Sequence, residues 1–287
     1  MPRKARFLDL PFYDRYRAFE MSASRSRPKI VHSPFPAPAA VSGTASASAA
    51  GARPPVSEDA GLLHSYYGAL FAAHGPQHWW PGRSRFEIIV GAILTQNTSW
   101  KNVERAISNL RLAKLLSARA IKEVRASTLA ALLRPSGYFR QKTKTLKAFV
   151  AFLYSEHSGS LDRLFATPTD ALRAQLLEVR GIGPETADSI LLYAGRHPVF
   201  VVDAYSRRIL ERHGLAHPRS SYEQLRSIFE SSLPRDHQLF NEFHALIVHT
   251  GKQFCRKSSP ACSHCALQRF LPGQAFGQSP LAADSTR

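Results

Sequence analysis

The segment from Leu177 to Ile190 places two glycines and a proline where a phosphate-bearing ligand could be held. Gly181-Ile182-Gly183-Pro184 reads as a tight turn between a helix ending near Val179 and a second helix opened by Pro184 at its first position. The two glycines permit positive φ and a close approach to the backbone. The free N–H groups of the turn and of the helix start then point outward together, a geometry that holds a phosphate without a side-chain charge. An ordinary helix–turn–helix corner with a glycine C-cap uses the same residues; Thr186-Ala187 directly after the turn, in a basic chain, favours the phosphate reading. Asp203 stands twenty positions beyond Gly183, after Phe200-Val201-Val202 and before Ala204-Tyr205-Ser206-Arg207-Arg208. It suits the N-cap of a helix over 204–212. A carboxylate at that helix mouth, beside a phosphate anchor, can also stabilise a cationic sugar as a base leaves, and orient or deprotonate a water.

The text Gly181-Ile182-Gly183-Pro184-Glu185-Thr186-Ala187 followed by Val201-Val202-Asp203 resembles the helix-hairpin-helix, Gly/Pro-rich, Asp signature of the endonuclease III superfamily of DNA glycosylases. The likeness runs from about Tyr66 to Leu271. It implies two α-helical lobes, a DNA groove between them and a flipped nucleotide in the cleft, with the family's carboxylate falling on Asp203. Bifunctional members carry a lysine two residues beyond the second glycine; here that position is Glu185. An amine there attacks the sugar and forms a Schiff base, whereas a carboxylate cannot. The departure favours a monofunctional, water-using glycosylase and speaks against the usual AP lyase step.

All three tryptophans precede residue 101: Trp79 and Trp80, followed by Pro81, and Trp100 bracket the apolar stretch Phe86–Leu94. They suit core filling. They also suit a pocket for a flat, cationic ring, with each aromatic face contributing roughly 0.5–2 kcal/mol. An N-alkylated purine is such a ring, and its glycosidic bond is already weak. The segments Trp79-Trp80-Pro81, Gly91–Thr98, Arg134–Lys142 and Gly181-Ile182-Gly183 are similar to the 3-methyladenine DNA glycosylase branch of the superfamily. By that resemblance Trp79, Trp80, Pro81 and Trp100 line the base pocket, Gln96 fills the gap left by the flipped nucleotide, and Tyr138 wedges into the duplex. A solvated helix end for Gln96 and a core aromatic for Tyr138 are the plainer readings. Gly181, Gly183 and Thr186 then form the DNA-facing hairpin. Lys142, Lys144 and Lys147 follow the Pro135-Ser136-Gly137 turn at helix spacing, either as a solvated face or as a phosphate-facing stripe, and Arg207 and Arg208 beside Asp203 are similar candidates.

Cys255-x6-Cys262-x2-Cys265 copies the first three positions of the iron–sulfur loop found in many endonuclease III relatives. The fourth position is Leu271, and the chain has no other cysteine. The resemblance therefore implies either a [4Fe-4S] cluster completed by His264, His249 or another group, or a zinc site with histidine, or a loop that has lost its metal. His244, on an apolar stripe with Phe240, Phe243, Ile247 and Val248, reads as a core histidine.

The elements that must position these residues read as helical almost throughout. Phe86, Ile89, Val90, Ile93 and Leu94 follow one helix face, as do Leu146, Phe149, Val150 and Leu153. Thr167-Pro168-Thr169-Asp170 reads as a helix start with Thr167 as N-cap and Pro168 at the first position. Val199–Val202 is the one β-branched run. The expectation is an all-α fold of about ten short helices: a six-helix lobe over about 83–197, and a second lobe from about 58–82 plus 198–271 that ends in the cysteine loop. Residues 1–57, rich in Ser, Ala, Pro and Arg, read as a disordered basic tail, with a short transient helix over Leu8–Phe19; residues 272–287 read as a flexible tail.

The chain of 287 residues carries 38 Lys+Arg against 21 Asp+Glu, a net charge of +17. Residues 58–287 alone keep a net of +11, so the folded part is itself basic, as a polyanion binder needs. Three cysteines exclude a disulfide framework. No apolar run approaches ~18 residues, and Met1–Leu10 lacks the apolar core of a secretory signal. The expected partner is double-stranded DNA with a damaged base, bound by a monomer away from membranes, in the cytoplasm beside the nucleoid if the source is bacterial. Two other readings remain: an endonuclease III-like glycosylase/AP lyase on oxidised pyrimidines, and a non-catalytic helix-hairpin-helix DNA-binding protein.

Overall fold

The computed structural model describes residues 58–273. The expectations for residues 1–57 and 274–287, including the Leu8–Phe19 helix, lie outside the described residues. The described chain is all-α, with twelve α-helices and no strand among these residues. In order they are α1 (Glu58–His74), α2 (Arg85–Leu94), α3 (Trp100–Leu112), α4 (Ala118–Glu123), α5 (Ala126–Leu133), α6 (Phe139–His157), α7 (Leu161–Phe165), α8 (Thr169–Glu178), α9 (Pro184–Ser189), α10 (Ala204–Arg212), α11 (Tyr222–Ser232) and α12 (His237–Gln253). No helix among them is long and apolar enough to cross a membrane.

Two apolar centres organise these helices. The first gathers Phe86, Ile89, Ile93, Leu110, Leu146, Phe149 and Ile190, all buried, from the stretch between α2 and the turn that follows α9. The second joins Leu63 and Leu70 of α1 to Phe200, Phe229, Phe240 and Phe243. Phe200 and Phe229 stack at 3.8 Å between ring centroids, and Phe240 and Phe243 meet Phe200 edge-on at 5.5 and 6.0 Å. Such ring pairs add about 0.5–1.5 kcal/mol each beyond the area they bury. The run Val199–Val202 is extended and buried, and it hands the chain from the first centre to the second immediately before Asp203.

Local chemistry sets the helix ends. Ser84 and Ser117 accept hydrogen bonds from the third residue of α2 and α4, as N-caps do. The start of α8 differs from the sequence expectation. Pro168 is the N-cap, not the first helical residue, because its ψ of 143° holds it extended while its carbonyl accepts the first helical bond from Leu172. Helix α9 does not stop at Ser189 but continues through a π-helical turn, Ile190–Ala194, all of it buried. This wide turn carries Tyr193.

Lys142 is a correction to the phosphate-stripe expectation. It is 2% exposed, and its Nζ donates to the Ser136 carbonyl at 2.6 Å beneath the Arg134–Gly137 turn. Burial pushes its pKa down to about 8. The ammonium braces the turn that leads into Tyr138 and cannot reach a ligand outside. Lys147 is likewise committed: its Nζ donates to the carbonyls of Lys122 and Val124 and so caps the end of α4. Lys144, between them, is exposed.

Candidate active site

The hairpin forms where α8 ends at Glu178 and the Ile182 N–H donates to the Val179 carbonyl at 2.9 Å. Gly181 has φ +87°, and a Cβ there would stand 2.1 Å from Thr145 Oγ1, so both backbone and packing demand glycine. Gly183 corrects the symmetrical reading of the two glycines. Its φ of −98° and ψ of −179° are ordinary extended backbone, and a Cβ would meet nothing within 4 Å. What glycine supplies at 183 is an open face rather than a conformation. Thr186 is 6% exposed, and its hydroxyl accepts from Gln96 Nε2 at 2.9 Å, so only its backbone remains for an outside ligand. Gln96 Nε2 also donates to the Gly181 carbonyl at 3.0 Å. These two bonds tie the α2–α3 loop to the hairpin, and filling a gap in a duplex requires the Gln96 amide to leave them.

Asp203 divides its two oxygens between two tasks. Oδ1 accepts from the N–H groups of Tyr205 (2.9 Å) and Ser206 (2.8 Å) and from Ser206 Oγ (2.9 Å), while Ser206 Oγ accepts the Asp203 N–H at 2.7 Å. This is a full capping box at the start of α10. Oδ2 takes no part in it and stands 3.7 Å from His244 Nε2, with the side chain 14% exposed.

A cavity of about 700 Å³ opens in front of that oxygen. Trp79, Trp80 and Trp100 wall one side, and Asp203, Glu185 and Lys252 contribute its charged groups. The Trp80 ring lies 5.1 Å from Trp100 at 87° and 4.8 Å from Tyr193 at 37°. It rests on α2 at Gly91, where a Cβ would sit 3.3 Å from the indole. Pro81 does not line the cavity; the chain turns there toward α2, with the Gly82 N–H bonded back to the Trp80 carbonyl. Three of the four expected pocket residues therefore come together.

His244, Tyr193 and Lys252 are cavity residues that sequence reasoning missed. His244 is buried, as a core histidine should be, yet its ring faces the site. Burial holds its pKa below the usual imidazole range. In the neutral ring one nitrogen accepts and the other donates. His244 Nδ1 pairs with Tyr193 Oη at 2.6 Å, and Nε2 lies 3.7 Å from Asp203 Oδ2, too long for a hydrogen bond. Lys252 lies two turns beyond His244 on α12, and burial lowers its pKa while Asp203 opposes the shift. Continuing the His244–Val248 stripe by one turn lands on this residue. Glu185 is pushed up to about 7, first by the bulk of the cleft around it and then by the Asp203 charge. Its side chain keeps solvent contact through the cavity mouth, so water offsets part of that shift until a ligand covers the opening.

Tyr138 is 73% exposed, held at φ 43° at the N-terminal end of α6 above the turn braced by Lys142. It is not a core aromatic. The two arginines after Asp203 turn inward. Arg207 Nη1 donates to the Ser220 carbonyl at 2.9 Å and lies 3.5 Å from Glu211, and Arg208 donates to the carbonyls of Cys255 (2.6 Å) and Gly251 (3.1 Å). Both serve the fold of the second apolar centre, which corrects Arg207 as a phosphate ligand.

The cysteine loop does not fit a four-thiolate cluster. Cys255, Cys262 and Cys265 line a narrow recess of about 10 Å³ together with Arg212 and Leu271, room for about one water. Arg212 Nη1 donates to Cys255 Sγ at 3.0 Å and to the Arg256 carbonyl at 3.2 Å. Burial pushes the Cys265 thiol up, toward its protonated form. Leu271 has no donor atom, His264 Nδ1 is 3.0 Å from Ser263 Oγ, and the His249 ring packs on His74 at 4.5 Å. Among the described residues no group of three His, Cys, Asp or Glu side chains is placed to hold a metal.

Comparison with known proteins agrees with this geometry. Residues 90–235 match the family described as "HhH-GPD superfamily base excision DNA repair protein". The chain is 44% identical over 211 residues to the "Putative DNA repair glycosylase" of Methanocaldococcus jannaschii, covering 73% of this chain and 95% of that protein. It is 28% identical over 189 residues to endonuclease III of Sulfolobus acidocaldarius, covering 66% and 82%. Among solved structures, the 3-methyladenine DNA glycosylase of Helicobacter pylori bound to 1,N6-ethenoadenine superposes with a TM-score of 0.59 at 30% identity, over 68% of this chain and 97% of that one. A non-covalent endonuclease III–DNA complex superposes with a TM-score of 0.64 at 20% identity, which shows a shared fold. The hairpin, the capped aspartate and these matches together make the chain a member of the HhH-GPD superfamily of base excision repair DNA glycosylases.

Proposed function

We propose that this protein is a monofunctional DNA N-glycosylase that releases alkylated bases such as 3-methyladenine from double-stranded DNA. The observation that carries the reading is the cavity itself: three tryptophans on one wall and the unshared Oδ2 of Asp203 facing them. Its volume of about 700 Å³ falls within the ~300–1,000 Å³ of small-molecule sites and admits an extruded nucleotide. A flat cationic base gains from stacking on the tryptophans and from the Asp203 carboxylate.

The steps follow from the chain's own groups. Gly183 and the first-turn N–H groups of α9, which lack helical acceptors by position, seat a phosphate. Tyr138 wedges into the stack from its exposed turn, and Lys144 adds a backbone contact. The extruded base stacks on the tryptophans. As its glycosidic bond breaks, Asp203 Oδ2 offsets the positive charge on the sugar and then takes a proton from the attacking water. His244, paired with Tyr193, packs 3.7 Å from Oδ2 and limits where the carboxylate can swing.

The test is release of free 3-methyladenine from methylated duplex DNA. Wild-type protein releases it and Asp203→Asn slows release by about 10²–10⁴-fold; no release, or an unchanged rate in the variant, overturns the reading. One observation favours a second reading, a glycosylase with AP lyase activity: the partly desolvated Lys252 amine lines the same cavity. Borohydride trapping separates the two, because only a Schiff-base enzyme becomes covalently linked to DNA.

A further inference from the structure

Three acidic side chains lie close together around the hairpin, and the structure treats them differently. Asp188 accepts from Arg173 Nε at 2.6 Å and from Tyr222 Oη at 2.8 Å. Asp203 Oδ1 accepts three donors. Glu185 lines the same cavity as Asp203, yet among the described residues no side chain or N–H donates to its carboxyl. A carboxyl that shares a recess with a second carboxylate and has no donor partner is shifted toward its acid form, even where, as at Glu185, water reaches it. Asp203 raises the pKa of Glu185, while Lys252 and the N-terminal turn of α9 favour its anion. Burial holds the His244 pKa below the usual imidazole range, the phenols of Tyr193, Tyr205 and Tyr222 are held above theirs, and the Arg173 charge is taken by Asp188 and Glu223. Burial, and after it the Asp203 charge, push Glu185 up to about 7.

We propose that Glu185, in its acid form, protonates a departing neutral purine, so that the site releases uncharged purine lesions as well as cationic N-alkylpurines. This rests on the glycosylase reading given above. A cationic base leaves without help, because the bond electrons neutralise it. A neutral purine leaves as an anion unless a ring nitrogen is protonated. In the step, the N9–C1′ bond breaks with its electron pair going to the purine, and the Glu185 proton moves to a purine ring nitrogen. The water oxygen bonds to C1′, and its proton passes to Asp203. Exchange with solvent then returns Glu185 to its acid form. The residue that takes the place of the family's lyase lysine thus supplies a general acid.

The experiment compares two duplex substrates at several pH values: dimethyl sulfate-treated DNA, read as free 3-methyladenine, and DNA with a single hypoxanthine. Wild-type protein is expected to release both, with hypoxanthine release falling as pH rises through about 7, where Glu185 loses its proton. Glu185→Gln lowers hypoxanthine release about 100-fold and removes that descending limb, while 3-methyladenine release falls by less than about tenfold. Glu185→Asp, a shorter acid, restores part of the lost rate and the pH dependence. Equal losses on both substrates mark a structural role and overturn the proposal. So does 3-methyladenine release by wild-type protein without any hypoxanthine release. Release of neither base defeats the glycosylase reading and this inference together.

Discussion

The division of labour within Asp203 can be separated by two substitutions at the one position. Oδ1 caps α10 through two backbone N–H groups and Ser206 Oγ, whereas Oδ2 faces the cavity. Asparagine caps helices about as well as aspartate, so Asp203→Asn keeps the Oδ1 bonds and changes stability by less than ~0.5 kcal/mol. Asp203→Ala removes all three acceptor bonds, placing its cost at the upper end for a lost cap, about 2 kcal/mol. For a domain of this size a cost of 1 kcal/mol moves the melting temperature by roughly 2–4 °C, so the alanine variant melts about 4–8 °C lower and the asparagine variant within ~2 °C of wild type. Base release behaves otherwise: both variants lose the charge at Oδ2 and both fall by about 10²–10⁴-fold. Ser206→Ala completes the set, since it weakens the capping box by ~1 kcal/mol but keeps the carboxylate, and its release rate falls less than about tenfold. Thermal melts and single-turnover release from methylated duplex, run on the same preparations, decide the matter. An asparagine variant that melts as low as the alanine variant, or that keeps a near wild-type rate, refutes the assignment of one oxygen to folding and the other to chemistry.

The two hairpin glycines should respond in opposite ways. Gly181→Ala meets both a left-handed φ and a 2.1 Å contact with Thr145, and it lowers stability by about 2–3 kcal/mol in a denaturant titration; Gly183→Ala is nearly neutral in that titration and weakens DNA binding instead. Purified protein should show no iron–sulfur absorbance near ~400 nm, and a chelator should leave its melting temperature unchanged, whereas Arg212→Ala lowers it by removing the donor to Cys255 Sγ. Lys142 binds its proton less tightly in the folded state than the ordinary 10.5, so between about 8 and 9.5 the unfolded chain holds more protons and wild-type stability gains from rising pH. Lys142→Met removes that gain, which paired denaturation curves at pH 7.5 and 9.5 would show.

Much of the site could be read along the chain because local rules govern it. Pro184 opens α9, Asp203 caps a helix that runs over Ala204–Arg212, and the tryptophans bracket α2 in sequence and in space. The residues that escaped are those whose environment comes from elsewhere. Lys142 sits at a spacing that suits a solvated stripe, and only the turn folded over it reveals a buried ammonium. Arg207 looks free until Ser220, thirteen residues on, supplies its acceptor. His244 follows an apolar stripe faithfully and is buried, but burial beside a cavity differs from burial in a core, and sequence cannot tell the two apart. The cysteine spacing reads as a metal loop, and only the fold shows Arg212 donating to Cys255 Sγ.

The wide turn at Ile190–Ala194 gives this site an unusual relation to insertions and deletions. One residue corresponds to about 100° of helix rotation. Removing a single residue from the turn would return the segment to α geometry and swing Tyr193 away from Trp80 and His244, while the buried segments on either side need only a small repacking. A one-codon change would thus alter the floor of the cavity and the aim of Asp203 at a single stroke, without touching any residue that meets DNA.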